Sequence, residues 1–334
     1  MAPTRQIGNF TFPAIGFGVM NLSAFYGEVN LSEEERLKVL DAAYAAGCTF
    51  WDTANVYGDS EVLLGKWFKR TGKRADIFLA TKFGFTADLS LSGTPENVRA
   101  SAKASFERLG VETIDLYYLH RADANVPIET TVAAMAELVK AGKVKHLGLS
   151  EVSASTLRRA HAVHPIAAVQ VEYSPFTLDI EDPKINLLNT ARELGVKIVA
   201  FSPLGRGLLT GQYKSPDDFE DGDFRKTIPR YNATNFPSIL KIADGLKAIG
   251  AKYNGATAGQ VALAWLLAQG EDIIPIPGTK KIKYLEENLA AGALTLSAED
   301  VEAVRDVAAK ADAAQGERYP PGMAEMMFVE TPAL

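Results

Sequence analysis

The sequence predicts an α/β protein of the (β/α)8 TIM-barrel class, with an N-terminal β-hairpin ahead of the barrel and extra C-terminal helices. Three observations predict it. Short apolar runs alternate with longer helical patterns almost throughout, the mark of stacked strand–helix units. Several runs, such as 77–81 and 196–201, are apolar on both faces, as in a parallel sheet covered by helices. There are eight such repeats, and a chain of 334 residues is within reach of one barrel, so residues 1–334 read as a single domain. A doubly wound open sheet is the competing arrangement.

The elements follow in order. Residues 5–13 form a small hairpin around the Gly8-Asn9 turn, and a first strand covers 14–18. Ser32 caps a helix, with Glu35 completing a capping box and Gly47 as its stop. Strands follow at 49–51, 77–81, 114–119, 144–149, 167–172, 196–201 and 272–276. The helices between and after them are expected at 59–70, 95–109, 128–141, 153–163, 184–194, 237–253, 257–268, 281–291 and 297–311. The polar stretch 212–232 has the length of a binding loop or lid. The tail, 312–334, is rich in Pro, Gly and Met and is expected to fold over a barrel end.

Composition narrows the function. A net charge of −6 with scattered Lys and Arg argues against nucleic-acid binding. The one cysteine, Cys48, excludes an intrachain disulfide and suits a reducing compartment; its apolar neighbours read as core. The N-terminus lacks an apolar signal core, and no window holds about 18 uninterrupted apolar residues. The expectation is a soluble, cytoplasmic protein.

In barrels of this kind the reacting groups stand at the carboxyl ends of strands. The polar residues there are Asp52, Thr53, Asn55 and Tyr57, then Lys82, His120 and Arg121, Ser150 and Glu151, Gln170, Glu172 and Tyr173, Ser202 and Arg206, and Thr279 and Lys280. Four of them suit carbonyl reduction. A hydride delivered to a carbonyl leaves an alkoxide that must take up a proton. Tyr57 can donate it once a neighbouring ammonium, Lys82, lowers its ordinary pKa near 10. Asp52 can hold Lys82 charged, and His120 can hydrogen-bond the substrate oxygen or relay the proton.

The segments WDTANVYGDSEVLLGKW, FLATKFG, DLYYLHR, KHLGLSEVSASTLRRA, VQVEYSPF, FSPLGRGLLTG and PIPGTKKIKYLEENL resemble the aldo-keto reductase superfamily, in family order and over nearly the whole chain. The likeness is to the branch with pyridoxal and general aldehyde reductases, which is also similar to potassium-channel β-subunits. It implies an NADPH/NADP+-dependent enzyme acting on a small-molecule aldehyde or ketone. It implies Tyr57 as proton donor, with Asp52, Lys82 and His120 as partners. Ser150 and Gln170 would hold the nicotinamide carboxamide, Phe201 would stack on its ring, and Gly18, Val19 and Met20 would line that side. Ser202, Pro203, Leu204, Gly205 and Gly207 would follow the pyrophosphate, and Gly278, Thr279, Lys280, Glu287 and Asn288 would surround the adenosine end. Asp52 would border the cofactor as well. The chain departs from the family twice: Glu151 stands where Asn is frequent, and Tyr284 where an Arg commonly meets the 2′-phosphate. Lys280, Lys281 or Lys283 could take that arginine's place, as point charges rather than a fork.

Other motifs carry less. No Gly-x-Gly-x-x-Gly opens a helix after a strand at the right spacing, and no Walker A sequence occurs. His161 and His164 share a helix face without a third ligand, so no metal is expected. Ser150 and Ser202 lack a nucleophile-elbow setting. Two rival functions remain: a Schiff-base lyase with Lys82 as nucleophile, and a non-catalytic cofactor sensor like the channel subunits, which replace the histidine that stands here as His120. Substrate identity and oligomeric state are silent, although Phe25, Tyr26, Phe85, Tyr213 and the tail are the residues expected to set specificity.

Overall fold

The computed structural model describes residues 3–26 and 30–334. An antiparallel hairpin, β1 (Thr4–Ile7) and β2 (Phe10–Pro13), turns at Gly8 and Asn9. Eight parallel strands follow in chain order: β3 (Phe17–Gly18), β4 (Phe50–Asp52), β5 (Phe78–Phe83), β6 (Ile114–Leu119), β7 (Val144–Ser150), β8 (Ile166–Glu172), β9 (Lys197–Phe201) and β10 (Ile273–Pro275). The two outer strands meet. Gly16 donates its N–H to the Pro275 carbonyl at 2.9 Å and Gly18 to that of Pro277 at 3.2 Å, which closes the barrel. Closure needs glycine here, because a Cβ on Gly18 would stand 2.8 Å from the Ile276 oxygen.

The helices α1 (Glu33–Ala45), α2 (Ser60–Thr71), α3 (Pro95–Leu109), α4 (Ile128–Lys140), α5 (Ala154–Val163) and α6 (Leu187–Glu193) fill the connections up to β9. Helices α7 (Phe236–Gly250) and α8 (Ala258–Ala268) precede β10, and α9 (Ile282–Ala290) and α10 (Ala298–Ala311) follow it. The capping box of Ser32 and Glu35 starts α1. Helix α6 begins three residues later than the expected 184. Asp182 accepts the Lys184 N–H on its side chain and the Asn186 N–H on its carbonyl, and Asn186 takes a left-handed φ of 50°, so 182–186 is a turn. The first strand is shorter than 14–18 because Ala14 pairs with Pro3 and only Phe17 and Gly18 join the β4 ladder.

Side chains alternate across each strand, so every second residue enters the barrel. Phe50, Phe78, Ala80, Leu116, Tyr118, Ala168, Val199 and Ile274 form an inner core, and Ile7 and Phe12 of the hairpin plug its amino end. The Phe12 ring lies 4.8 Å from that of Phe50 and 5.4 Å from that of Phe78. Residues one step out of phase, including Trp51, Leu79, Tyr117, Leu147 and Val169, pack outward under the helices. The same alternation continued toward the carboxyl ends turns Asp52, Lys82, Ser150 and Gln170 inward. The sequence-expected order of strands and helices is therefore the order found, and the open-sheet alternative falls with the closing hydrogen bonds.

Gly148 tests the inner core. A Cβ there would lie 2.4 Å from the Tyr118 ring. Gly148→Ala should cost about 1–3 kcal/mol through overpacking, read as a lowered urea midpoint; an unchanged midpoint would show that Tyr118 can move aside freely.

Candidate active site

The carboxyl end of the barrel opens into a cavity of about 820 Å3. That volume lies within the range of small-molecule and cofactor sites. Its floor carries Asp52, Ser150, Gln170 and Phe201 from strand ends, and its walls include Met20, Phe25, Tyr26, Tyr57 and Phe85. The 202–231 connection contributes Ser202, Pro203, Leu204, Gly207, Tyr213 and Phe224, and the tail adds Tyr319, Met323, Met326 and Met327. Gly278, Thr279, Lys280, Lys281, Tyr284, Glu287 and Asn288, on the β10–α9 connection and α9, complete it.

Lys82 and Asp52 form a buried ion pair, and Lys82 also donates to the Thr53 carbonyl at 2.8 Å. Gln170 donates to the second Asp52 oxygen at 2.8 Å, tying β8 to β4 across the barrel. Burial pushes the Asp52 carboxyl up and the Lys82 ammonium down, and the attraction between the two opposes both shifts. The Lys82 nitrogen sits 5.1 Å from the centre of the Tyr57 ring. The Tyr57 hydroxyl stands 3.5 Å from His120 Nε2, at the outer limit of a hydrogen bond. Burial, then the Coulombic repulsion of the Lys82 and Arg121 charges, is joined in holding His120 well below its ordinary pKa; burial is the largest cause, Arg121 the next.

Burial, followed by the Asp52 carboxylate, raises the Tyr57 phenol, and Arg121 opposes this. Lys82, near the Tyr57 ring, is paired with Asp52. Two expectations about the lining are corrected. Val19 does not line the cavity: its side chain lies in the outer core, and its N–H donates to the Asp52 carbonyl at 2.9 Å. Gly205 does not line it either, since it occupies a turn with φ 55° facing Leu209 and Phe176. The other cofactor-side residues named from the sequence do line it, as do Asp52, Tyr57 and His120, whereas Lys82 is wholly buried behind Asp52. A lysine so enclosed has no open approach for a carbonyl carbon, which removes the Schiff-base reading.

Glu151 points away from the cavity. Its backbone takes φ 50°, and its carboxylate accepts from Arg318 at 3.0 and 3.2 Å and from the Glu172 N–H at 3.0 Å. Arg318 also meets Asp179 at 2.9 Å and Glu172 at 3.5 Å, while Arg206 meets Glu172 at 3.2 Å. Burial alone would raise Glu172, but Arg206 and Arg318 hold it below the usual carboxylate range. Arg206 in turn lies under the Tyr319 ring, 4.6 Å from its centre. Further on, Val329 bridges Val152, and Arg159 donates to the Thr331 carbonyl at 2.7 Å. The tail is thus pinned on both sides of its cavity-lining methionines. Sequence reasoning placed the tail over a barrel end but missed Arg318; its only signal was an arginine within a methionine- and proline-rich run.

Fold and cavity together define a (β/α)8 barrel with a deep carboxyl-end site. The family model described as the aldo/keto reductase family matches residues 14–309. The chain is 65% identical over 315 residues to the aldo-keto reductase str7 of Strobilurus tenacellus, covering 93% of each. It is 50% identical over 339 residues to the fission-yeast protein named aldo-keto reductase yakc [NADP(+)], from Schizosaccharomyces pombe, covering 99% of this chain and 98% of that one. Among solved structures, a glycerol dehydrogenase of Gluconobacter oxydans superposes with a TM-score of 0.83 at 26% identity, over 92% of this chain and 95% of that one. A thermostable aldo-keto reductase in complex with the inhibitor epalrestat gives 0.74 at 29% identity, over 91% and 99%. The chain belongs to the aldo/keto reductase family of oxidoreductases. Among the described residues no helix is long and apolar enough to cross a membrane.

Two outcomes follow for stability. His120 stays neutral in the fold below pH 6.5, while the unfolded chain binds a proton there, so stability falls as pH drops below about 6.5, by at most about 1.4 kcal/mol per pH unit from this residue. The urea midpoint of His120→Asn should change less between pH 6.5 and 5 than that of the wild type; equal slopes would refute this. Arg318→Ala leaves Glu151 buried and unpaired and should cost about 3–5 kcal/mol, with faster proteolysis of the tail.

Proposed function

We propose that the protein is an NADPH-dependent aldo-keto reductase that reduces a small aldehyde or ketone, with Tyr57 as the general acid. The observation that carries the reading is the convergence of the Tyr57 hydroxyl, His120 and the buried Asp52–Lys82 pair at one end of a cavity whose wall elsewhere carries Lys280 and Lys281. The printed name of the yeast relative, with its NADP(+), supports the choice of cofactor.

The residues present suit a phosphorylated dinucleotide. Helix α9 starts at Ile282 with Lys281 as an N-cap that makes no side-chain bond. The Lys281 N–H is taken by Thr279 Oγ1 and those of Tyr284 and Leu285 by the Lys281 carbonyl, which leaves the Ile282 and Lys283 N–H groups at the helix start, and Lys280 and Lys281 line the cavity beside them. Of the three lysines considered for the 2′-phosphate, Lys283 does not line the cavity. Lys281 and Lys283 stand 5.7 and 5.9 Å from the centre of the Tyr284 ring, which presents a flat face at the adenosine end. Gly278, Thr279, Glu287 and Asn288 complete that end. Ser202, Pro203, Leu204 and Gly207 would follow the pyrophosphate, Phe201 would stack on the nicotinamide, with Gly18 and Met20 beside it, and Ser150 and Gln170 would hold its carboxamide. Bound NADPH supplies the hydride.

The chain's own residues then manage the proton. A phenol raised by burial keeps its proton at neutral pH, which is the state a general acid needs before reaction. Neutral His120 can donate to or relay through the substrate oxygen. The Asp52–Lys82 pair fixes the floor beneath Tyr57, and its ammonium offers charge near the ring as the phenol loses its proton. The single domain over residues 1–334 and a reducing, cytoplasmic setting belong to the same reading, the latter resting on the lone buried Cys48. A catalytic role is favoured over sensing alone by His120 facing Tyr57.

Tyr57→Phe should lower kcat for benzaldehyde with NADPH by about 10²–10⁴, while NADPH still quenches the protein's fluorescence at the same concentrations. Undiminished kcat would remove Tyr57 as the acid.

A further inference from the structure

Arg121 is a buried arginine without a carboxylate partner. The buried Arg206, Arg225 and Arg318 are each paired with Glu172, Asp223 and Glu151 respectively. Arg230, also buried and without an ion pair among the described residues, donates to the Gly316 carbonyl at 3.1 Å, and its free Nη1 is sealed in the interior rather than open to the cavity. Arg5 is satisfied by several carbonyls, including that of Ile273 at 3.0 Å. Arg121, 8% exposed, forms no ion pair within 4.0 Å among the described residues. Its Nη1 donates to the His120 carbonyl at 2.6 Å and to Ser150 Oγ at 3.1 Å. Among the described residues its Nε and Nη2 have no hydrogen-bond acceptor, and they are absent from the sealed, unpartnered groups of the interior, so they reach the cavity that Arg121 lines. Because Asp52 and Lys82 neutralise each other, Arg121 leaves this end of the cavity positive. A desolvated guanidinium with an open edge calls for an acceptor, and a planar carboxylate fits that edge with two parallel hydrogen bonds.

We propose that the open edge of Arg121 is a carboxylate subsite, and that the site accepts carbonyl substrates with a carboxylate bonded directly to the reducible carbon, the 2-oxo acids. Arg121 lines the same cavity as His120 and Tyr57 and is held by the His120 carbonyl and Ser150 Oγ, so a carboxylate bonded to the reacting carbon would meet it on that wall. This rests on the carbonyl-reductase reading. In the reaction the keto carbon receives the hydride and its oxygen a proton from Tyr57, giving a 2-hydroxy acid. NADPH is oxidised to NADP+, and the carboxylate leaves unchanged.

The test uses the full chain at saturating NADPH, comparing kcat/KM for phenylglyoxylate, its neutral methyl ester and benzaldehyde. Wild type should favour phenylglyoxylate over the ester at least about tenfold. In Arg121→Met the ratio of phenylglyoxylate to ester should fall at least about thirtyfold, and Arg121→Lys should keep part of it by supplying charge without the fork. Because the readout is a ratio, any general loss from releasing Ser150 or the His120 carbonyl cancels. A ratio near one in the wild type, or an equal ratio in wild type and Arg121→Met, overturns the subsite while benzaldehyde reduction still supports the reductase reading. No turnover of any of the three overturns both. If Arg121→Met does not fold, the wild-type ratio decides.

Discussion

A charged lysine can sit in the middle of a barrel only where something answers its charge, and here that is Asp52. The pair joins β4 to β5, and Gln170, bound to the other carboxylate oxygen, draws in β8 from across the interior. Neither ion would stay charged alone in such a place, and removing either would strand the other. The pair therefore does two things at once. It sets the inner faces of three strands against one another, and it marks the level at which the apolar filling of the barrel gives way to polar chemistry.

Below that level the barrel is sealed by aromatic packing from the hairpin; above it the cavity is sorted by charge. Lys280 and Lys281 stand beside the open start of α9, and Arg121 stands with His120 and Tyr57. A protein of net charge −6 thus places lysines and an arginine on the wall of its cavity, among acidic residues such as Glu287, which bulk charge does not disclose.

The barrel was legible because its determinants are local. Apolar runs, caps and glycine stops mark each unit, and the period of two says which strand-end residues turn inward. Asp52, Tyr57, His120, Ser150 and Gln170 could be singled out from their positions at or after strand ends, and the roles of Ser150 and Gln170 from the family resemblance. Charge compensation was not legible in the same way. Whether Lys82 acidifies Tyr57 depends on how closely Asp52 screens it, which is a matter of distances across strands. Glu151 looked like an altered cofactor contact, because nothing near it in sequence announces Arg318, a partner 167 residues on. Val19 failed for a simpler reason: it follows Gly18 by one residue, so its side chain falls on the opposite face.

The far position of Arg318 has a consequence for how the molecule is made. Glu151 and Glu172 end two strands, yet the arginine that answers them comes about 150 residues or more later, after the last barrel strand. During synthesis the strands emerge first and domains form from the N-terminal side onward. Until residue 318 has been made, Glu151 has no arginine at its side and Glu172 has only Arg206. A chain that stops before Arg318 would therefore carry every strand and strand-end residue of the barrel but leave Glu151 unanswered and the tail side of the cavity wall missing.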